Sequence, residues 1–416
     1  MPKKVIPIPG AEVDVTAVLP LLRHPNMARL HFVSQLGGTQ PGFPGGLHSR
    51  LEHSLGVMEL TRRRAQTWAR QGRIRAEDVL PLTVAGLVHD IGHSALSHVL
   101  ESDLTRDHHE NGRRLLKEMR EAFRTTNCSL ERVLKLLDKE KGDPLGTAIT
   151  DRYLGTDKLD YLWRDAHHTG VENPDVFRFV ESRLYMTAEH GLVVDSIATA
   201  GLKALLLAQQ NMYGDFYLRK SSRIAQEFVA KLFGYLVRAR DIRRALPLRM
   251  TDEEFYSRIW SSRSKEVIMM RKCRRAFDYP KSAIVYRCRD FGDNERLAYK
   301  PMVVSELSRE KMGRLAKLSR RAQRRIEARI AKELRIPECL TLFVPPAGLH
   351  KLVPSRVLVS DNGRIRNFQE LEPTFFRALE EGAVTYQAAR VCVPAPDRQK
   401  ACNYEGTITW IVRDEL

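Results

Sequence analysis

Three short stretches concentrate the groups that could do chemistry: His48-Ser49-Arg50-Leu51-Glu52-His53-Ser54-Leu55-Gly56, then His89-Asp90-Ile91-Gly92-His93, then Thr156-Asp157-Lys158-Leu159-Asp160-Tyr161. Each sets imidazole or carboxylate at one end of an apolar-periodic helix. A single His on such a face is more often a satisfied core residue than a ligand, but three such stretches together say more. Adjacent His89 and Asp90 reach one cation only where their helix packs closely against others, and a carboxylate buried there needs a compensating charge. A metal ion would supply it. His53, His89, Asp90 and Asp157 form a mixed nitrogen and oxygen set suited to Mn, Fe, Ni, Zn or Mg, with room left for water, and spacing does not choose among these metals.

The surroundings extend the pattern. Arg50 lies three residues before His53 and shares its helix face, while Asp157, Tyr161 and Asp165 recur every four residues along another face with Lys158 beside them. A wall of cations and carboxylates therefore faces the expected metal. His93, His98 and the pair His109-Glu110 follow the His-Asp dyad, and groups titrating near neutrality suit proton transfer to and from a phosphate ester. His108 fits an exposed surface histidine.

The elements that must position these groups read as mainly α. Apolar periodicity predicts helices over 51–69, 77–88 and 196–212, and a Gly/Pro-rich break at 37–46 reads as a binding loop before the first of them. Thr251-Asp252-Glu253-Glu254 has the form of a capping box. The texture changes after Ala245, so two domains are expected, 1–245 helical and 246–416 a helical extension with a smaller α+β domain. Strands are expected at 283–288, 340–344, 356–359, 365–368, 390–393 and 407–412, with a turn at Asp361-Asn362-Gly363 and a helix at 373–381. Between them, 309–335 predicts a basic helix with charge on all sides. It reads first as a solvated surface, and secondly as a contact for the phosphates of nucleic acid or of a nucleotide.

Composition bounds the rest. The 416 residues are 43% hydrophobic and 29% charged, which excludes disordered and fibrous classes. Lys and Arg number 68 against 51 for Asp and Glu, a formal charge of +17 that favours polyanionic partners. Six cysteines without a CxxC pair fit reduced thiols. With no apolar leader after Met1 and no apolar run long enough to cross a membrane, a cytoplasmic protein with no membrane partner is expected.

At this point the sequence resembles a known family, the HD-domain deoxynucleoside triphosphate triphosphohydrolases, including the SAM and HD domain-containing type and its bacterial relatives. The resemblance rests on Gln35-Leu36-Gly37-Gly38, Phe43-Pro44-Gly45 and the His48 to Val57 string, on His89 to His93 running on to Ser97-His98, and on Thr156 to Tyr161 running on to Arg164-Asp165-Ala166-His167-His168. It covers roughly residues 14 to 240, and the motifs in order are far more specific than any one alone. It implies a helical HD-domain core and a divalent metal held by His53, His89, Asp90 and Asp157. Arg50, Lys158 and Tyr161 would contact the triphosphate and sugar, Gln35 and Leu36 would border the deoxyribose, Asp165 would bind the 3′-hydroxyl, and Tyr217 would lie near the base. His98 would stand close to the α-phosphate, oriented by Glu101, with His109-Glu110 relaying protons. The implied substrates are deoxynucleoside triphosphates, and the implied assembly is a homodimer or homotetramer. Departures are Arg219 where a histidine is usual, Arg23-His24-Pro25 where activated members carry Asp-Thr-Pro, and Ser94-Ala95-Leu96 in place of Gly-Pro-Phe. Two other readings stand beside this one: an HD-type phosphodiesterase or nuclease, and a sensor without catalysis.

Overall fold

The computed structural model describes residues 2–39, 42–138, 142–171, 177–187, 189–288, 302–348 and 352–416. Positions 40 and 41 of the Gly/Pro-rich break lie outside the described residues. The chain divides into two compact units, each assembled from three stretches: Met1–Met212, Ala245–Phe255 and Pro354–Phe375 in the first, Tyr213–Arg244, Tyr256–Val353 and Phe376–Leu416 in the second.

The first unit is built on three helices. Arg50–Arg70 starts at Ser49, whose side chain accepts from the Glu52 amide, and it buries an almost continuous run from His53 to Glu59. Val79–Val88 is apolar all round and buried from Leu82 to Val88, so it forms the centre of the unit. Thr156–Thr169 ends at Gly170, which takes the left-handed conformation at φ 71. Helices Arg50–Arg70 and Thr156–Thr169 are joined by a buried hydrogen bond of 2.7 Å between the Thr61 and Thr156 hydroxyls. A four-stranded sheet runs in the order Leu184–Thr187, Gly191–Asp195, Leu358–Asp361, Arg364–Asn367. Its middle pair is parallel, so a hairpin far along the chain completes a sheet begun early. That hairpin turns through Asn362 and Gly363, both at positive φ, as the Asp361-Asn362-Gly363 sequence predicts.

The expected capping box forms. The Thr251 amide donates to Glu254 at 2.8 Å and the Glu254 amide to the Thr251 hydroxyl at 3.2 Å, opening the helix Asp252–Ser261.

The second unit centres on a sheet in the order Val303–Glu306, Lys281–Arg287, Ala389–Val393, Leu342–Val344. Ile284, Phe343 and Val391 of the sheet pack with Ile326, Ile330 and Leu334 of a helix and with Ile408, Ile411 and Val412 of another. The last three were expected in a strand at 407–412, and instead lie in the helix Glu405–Asp414. Residues 408, 411 and 412 stand at i, i+3 and i+4, and this helical spacing outweighs the β-branched composition. The basic stretch also departs from expectation. It forms two helices, Arg309–Leu315 and Arg320–Leu334, and the second buries one face, so its charge does not surround it. Several of its cations are already matched: Arg320 pairs with Glu227, Arg324 with Glu327, Arg325 with Glu415 and Arg329 with Asp414.

Glu327 is the most constrained charge of this unit. Fully buried, it accepts from Lys231 at 2.9 Å, from Arg324 at 2.8 Å and from the Phe343 amide at 3.0 Å, while Lys231 also donates to the Thr341 carbonyl at 2.6 Å. Removing one partner of such a pair strands the other in a medium that cannot solvate it. Replacing Glu327→Leu should destabilise the protein by about 3–5 kcal/mol, read as a lower denaturation midpoint; a midpoint within about 1 kcal/mol of the parent would contradict this.

Candidate metal centre and active site

The four expected metal ligands and the residues packed around them belong to the first unit. His53 is fully buried in the Arg50–Arg70 helix, and its Nδ1 lies 2.8 Å from Asp160 Oδ2. A ring nitrogen against a carboxylate carries the hydrogen, so Nε2 of the neutral ring presents its lone pair on the opposite side. His89, at the end of the Val79–Val88 helix, is fixed in the same tautomer, with Nδ1 donating to the Gly86 carbonyl at 2.9 Å. The two Nε2 atoms are buried and have no hydrogen-bond partner among the described residues. They meet Asp157 Oδ1 at 3.3 Å from His53 and 3.5 Å from His89, and one ligand atom from each of the three residues lies within 4.8 Å of the others. Asp90 closes the group, 3.5 Å from His53 Nε2 through one oxygen and 3.3 Å from His89 Nε2 through the other.

The electrostatics point the same way. Burial alone would lower the His53 pKa, but the carboxylates of Asp157, Asp160 and Asp90 overcome it and push it up to about 10. His89 is likewise raised against burial, chiefly by Asp90. Against their own desolvation, Asp90 and Asp157 are held well below the usual carboxylate range, Asp90 chiefly by His89 and Arg50 and Asp157 by the His53 and His89 imidazoles beside it. The cluster thus draws positive charge to the point between two imidazole lone pairs and two carboxylates. A divalent cation suits the chemistry of this mixed nitrogen and oxygen donor set.

Behind His53 stands a second layer. Asp160 takes two hydrogen bonds from Arg164, at 2.9 and 2.8 Å, and Arg164 reaches on to Glu52 at 3.0 Å. This pair lies so close to the Arg50–Arg70 backbone that a Cβ on Gly56 would stand 2.0 Å from Asp160 Oδ1. Only glycine leaves room for the carboxylate that orients His53. Glu52 also accepts from His168 Nε2 at 2.8 Å, the His168 ring stacks on His48 at 4.3 Å, and His48 Nε2 meets Asp165 at 2.8 Å.

The other expected residues fall as follows. Arg50 is buried, paired with Asp90 and donating to Ser97 Oγ at 2.8 Å. Lys158 donates to the Tyr161 hydroxyl and lies 4.7 Å over its ring, and the Tyr161 ring stands 6.5 Å from His53. Gln35 is half-buried, its Oε1 without a partner among the described residues and its backbone amide donating to the His48 carbonyl at 3.0 Å, and Leu36 is buried beside Gly46. His93 Nε2 lies 3.2 Å from Asp90, and burial together with the Arg50 charge holds its pKa well below the usual value. His98 is exposed, with Nδ1 on Glu101 at 2.7 Å. Its position depends on a turn in which Leu96 and Ser97 both have positive φ, pinned by Asp252 accepting from the Leu96 amide at 2.7 Å. Glu110 is exposed and accepts from Arg106 at 2.9 Å, and the His109 ring lies 4.0 Å from that of His108. Tyr217 ends the π-helical segment Tyr213–Tyr217 and belongs to the second unit. Missed from the sequence were the roles of Asp160, Arg164, Gly56 and His48, all present in the quoted motifs, and the inclusion of His108 in the histidine cluster.

Carboxylates that orient a metal-bound histidine tune the affinity of the site. Asp160→Asn should therefore weaken divalent-cation binding about 10–100-fold, measured by equilibrium dialysis, with helical content unchanged; unaltered affinity would remove Asp160 from this role.

Residues 50–167 match the HD domain model, and residues 175–403 match the HD associated region. An uncharacterised protein of Methanocaldococcus jannaschii is 31% identical over 211 residues, covering 49% of this chain and 43% of that protein. The human deoxynucleoside triphosphate triphosphohydrolase SAMHD1 is 29% identical over 198 residues, covering 38% of this chain and 32% of that protein. The chain spans less than half the length of these curated relatives. Among solved structures, a hypothetical protein from Aquifex aeolicus superimposes with a TM-score of 0.70 at 22% identity, over 97% of this chain and 99% of that one. A phosphohydrolase from Bacteroides thetaiotaomicron gives 0.69 at 18% identity, over 94% and 100%. These two share the fold. The chain belongs to the family of HD-domain proteins that carry the HD associated region.

Proposed function

We propose that the protein is a metal-dependent triphosphohydrolase that converts a deoxynucleoside triphosphate and water into a deoxynucleoside and inorganic triphosphate. The observation that carries this reading is the pair of buried, unpartnered Nε2 atoms of His53 and His89, converging with Asp157 and Asp90. These four residues hold the cation, which when bound supplies Lewis acidity toward a phosphoryl oxygen and acidifies water. The choice of a triphosphate substrate is supported by the likeness of part of the chain to deoxynucleoside triphosphate triphosphohydrolases.

The remaining groups take the roles that the family resemblance implies, and their positions support them. Arg50 fixes Asp90 and Ser97, so its guanidinium keeps the carboxylate ionised and aimed at the cation. Lys158, with its ammonium held over Tyr161, supplies positive charge toward the phosphates. Asp165, oriented by His48, accepts from the sugar 3′-hydroxyl, and the apolar Leu36 beside Gln35 offers a 2′-hydroxyl no partner. His98, with Nδ1 on Glu101, donates the proton that the departing 5′-oxygen takes.

Incubation of the full chain with each deoxynucleoside triphosphate, singly and in mixtures, and with Mn²⁺ should yield deoxynucleoside and intact triphosphate. Activity should vanish on chelation and return with the metal, and Asp157→Ala should lower kcat by about a thousandfold or more, since a lost Lewis acid costs several kcal/mol of barrier. Release of diphosphate, or no turnover of any such nucleotide in any mixture, would overturn the assignment of substrate.

A further inference from the structure

A stretch far along the chain, in the HD associated region, reaches back to the loop that follows the His-Asp dyad, and both belong to the first unit. The Ala95 amide donates to the Pro247 carbonyl at 2.9 Å, and the Asn111 side chain joins the carbonyls of Leu248 and Gly92 at 3.1 and 2.8 Å. The Arg29 guanidinium gathers the carbonyls of Met250, Ile91 and His93 at 2.9, 3.1 and 2.7 Å. Asp252 ends this series. It is buried at the start of the helix Asp252–Ser261, and its carboxylate binds residues more than 150 positions away. Oδ1 accepts from the Leu96 amide at 2.7 Å, and Oδ2 from both the amide and the hydroxyl of Ser34, at 3.0 and 2.5 Å. The Ser34 carbonyl in turn accepts from the Ser97 hydroxyl at 2.5 Å. Both oxygens thus act on one turn, Oδ1 directly at Leu96 and Oδ2 through Ser34 at Ser97. That turn needs a brace, because Leu96 and Ser97 hold φ of 57 and 56 in succession, a left-handed backbone that residues other than glycine keep only where their surroundings enforce it. His98 follows directly.

We propose that Asp252 is a positioning residue for the proton donor His98: its carboxylate holds the Leu96-Ser97 turn that carries the imidazole, so the HD associated region supplies a part that the active site of the HD domain needs. The inference rests on the proton transfer assigned to His98 above. Three donors, the Leu96 amide and the amide and hydroxyl of Ser34, converge on Asp252, and they require an acceptor on both of its oxygens. Asparagine has the same shape but a single acceptor oxygen, so whichever way its amide is turned, the NH₂ group faces a backbone N–H. One arm of the brace is then lost, and a buried N–H is left without an acceptor. His98 keeps its hydrogen bond to Glu101, but the backbone beneath it is no longer held in the left-handed conformation. A displacement of the donor by about 1 Å costs about a hundredfold in rate. None of the four metal ligands is altered, so the metal centre should persist.

The test is a double-mutant cycle on the full chain with Mn²⁺ and a deoxynucleoside triphosphate, joined to hydrogen exchange without substrate. Asp252→Asn should lower kcat about a hundredfold, with KM near that of the parent and Mn²⁺ binding retained in equilibrium dialysis. His98→Ala should lower kcat by about a hundredfold or more, and the double variant should fall no further than His98→Ala alone, because Asp252 acts through His98. Glu253→Gln, which removes the exposed neighbouring charge, should keep the parent kcat. Ser34→Ala deletes one donor to the same carboxylate and leaves the backbone in place; its smaller loss should vanish in the His98→Ala background in the same way, and it decides the matter if Asp252→Asn does not fold. Amide exchange over residues 94–99 should quicken about tenfold or more in Asp252→Asn. If the parent turns over no such nucleotide, the substrate reading fails, and the exchange result alone decides whether Asp252 holds the turn. Losses that multiply in the double variants, loss of Mn²⁺ binding in Asp252→Asn, an equal loss of kcat in Glu253→Gln, or unchanged exchange over 94–99 would overturn the proposal.

Discussion

Everything at this centre depends on keeping a group of carboxylates charged with little help from water. Asp90 and Asp160 are almost wholly buried, and with Asp157 they surround one imidazole, His53. An isolated carboxylate in such a place would take up a proton and lose its charge. Here the charge is kept, because Arg50 stands against Asp90, Arg164 grips Asp160, and two histidines face Asp157. What remains is a point of negative potential lined by two lone pairs, and a cation completes it.

That constraint reaches outward into the fold. Asp160 can orient His53 only because Gly56 lets Asp160 and Arg164 lie against the neighbouring helix, and Arg164 in turn draws in Glu52, His168 and, through ring stacking, His48 and Asp165. On the other side, Arg50 ties Asp90 to Ser97, whose hydroxyl donates to the Ser34 carbonyl at 2.5 Å, and Asp252 holds Ser34 and the turn before His98. Cation ligands and the groups expected near the sugar thus belong to one network of largely buried contacts, to which the turn before the exposed histidine is tied. Such a network is strong only when every member is satisfied.

The candidate centre was largely legible in the sequence because its chemistry is concentrated at helix ends. His53, His89, Asp90 and Asp157 sit in three motifs whose apolar periodicity fixes the helices, and packing those helices brings the four side chains together. The capping box at Thr251 and the Asn362-Gly363 turn were legible for similar local reasons. What the sequence concealed depends on contacts across the chain. Nothing local marks Asp160 as the partner of His53, or shows that His108 rather than an exposed surface awaits His93. The 407–412 stretch misled through its β-branched residues, and the basic helix through its charges, which mask the buried row of Ala322, Ile326 and Ile330.

The central claim is that His53 and His89 present their Nε2 atoms to one metal ion. Pulsed electron paramagnetic resonance of the full chain loaded with a single equivalent of Mn²⁺ reads this directly, because nitrogen nuclei bonded to the ion couple to its electron spin. The account predicts couplings from two imidazole nitrogens, one lost in His53→Gln and the other in His89→Gln. A spectrum without nitrogen coupling, or one that neither substitution changes, would contradict it.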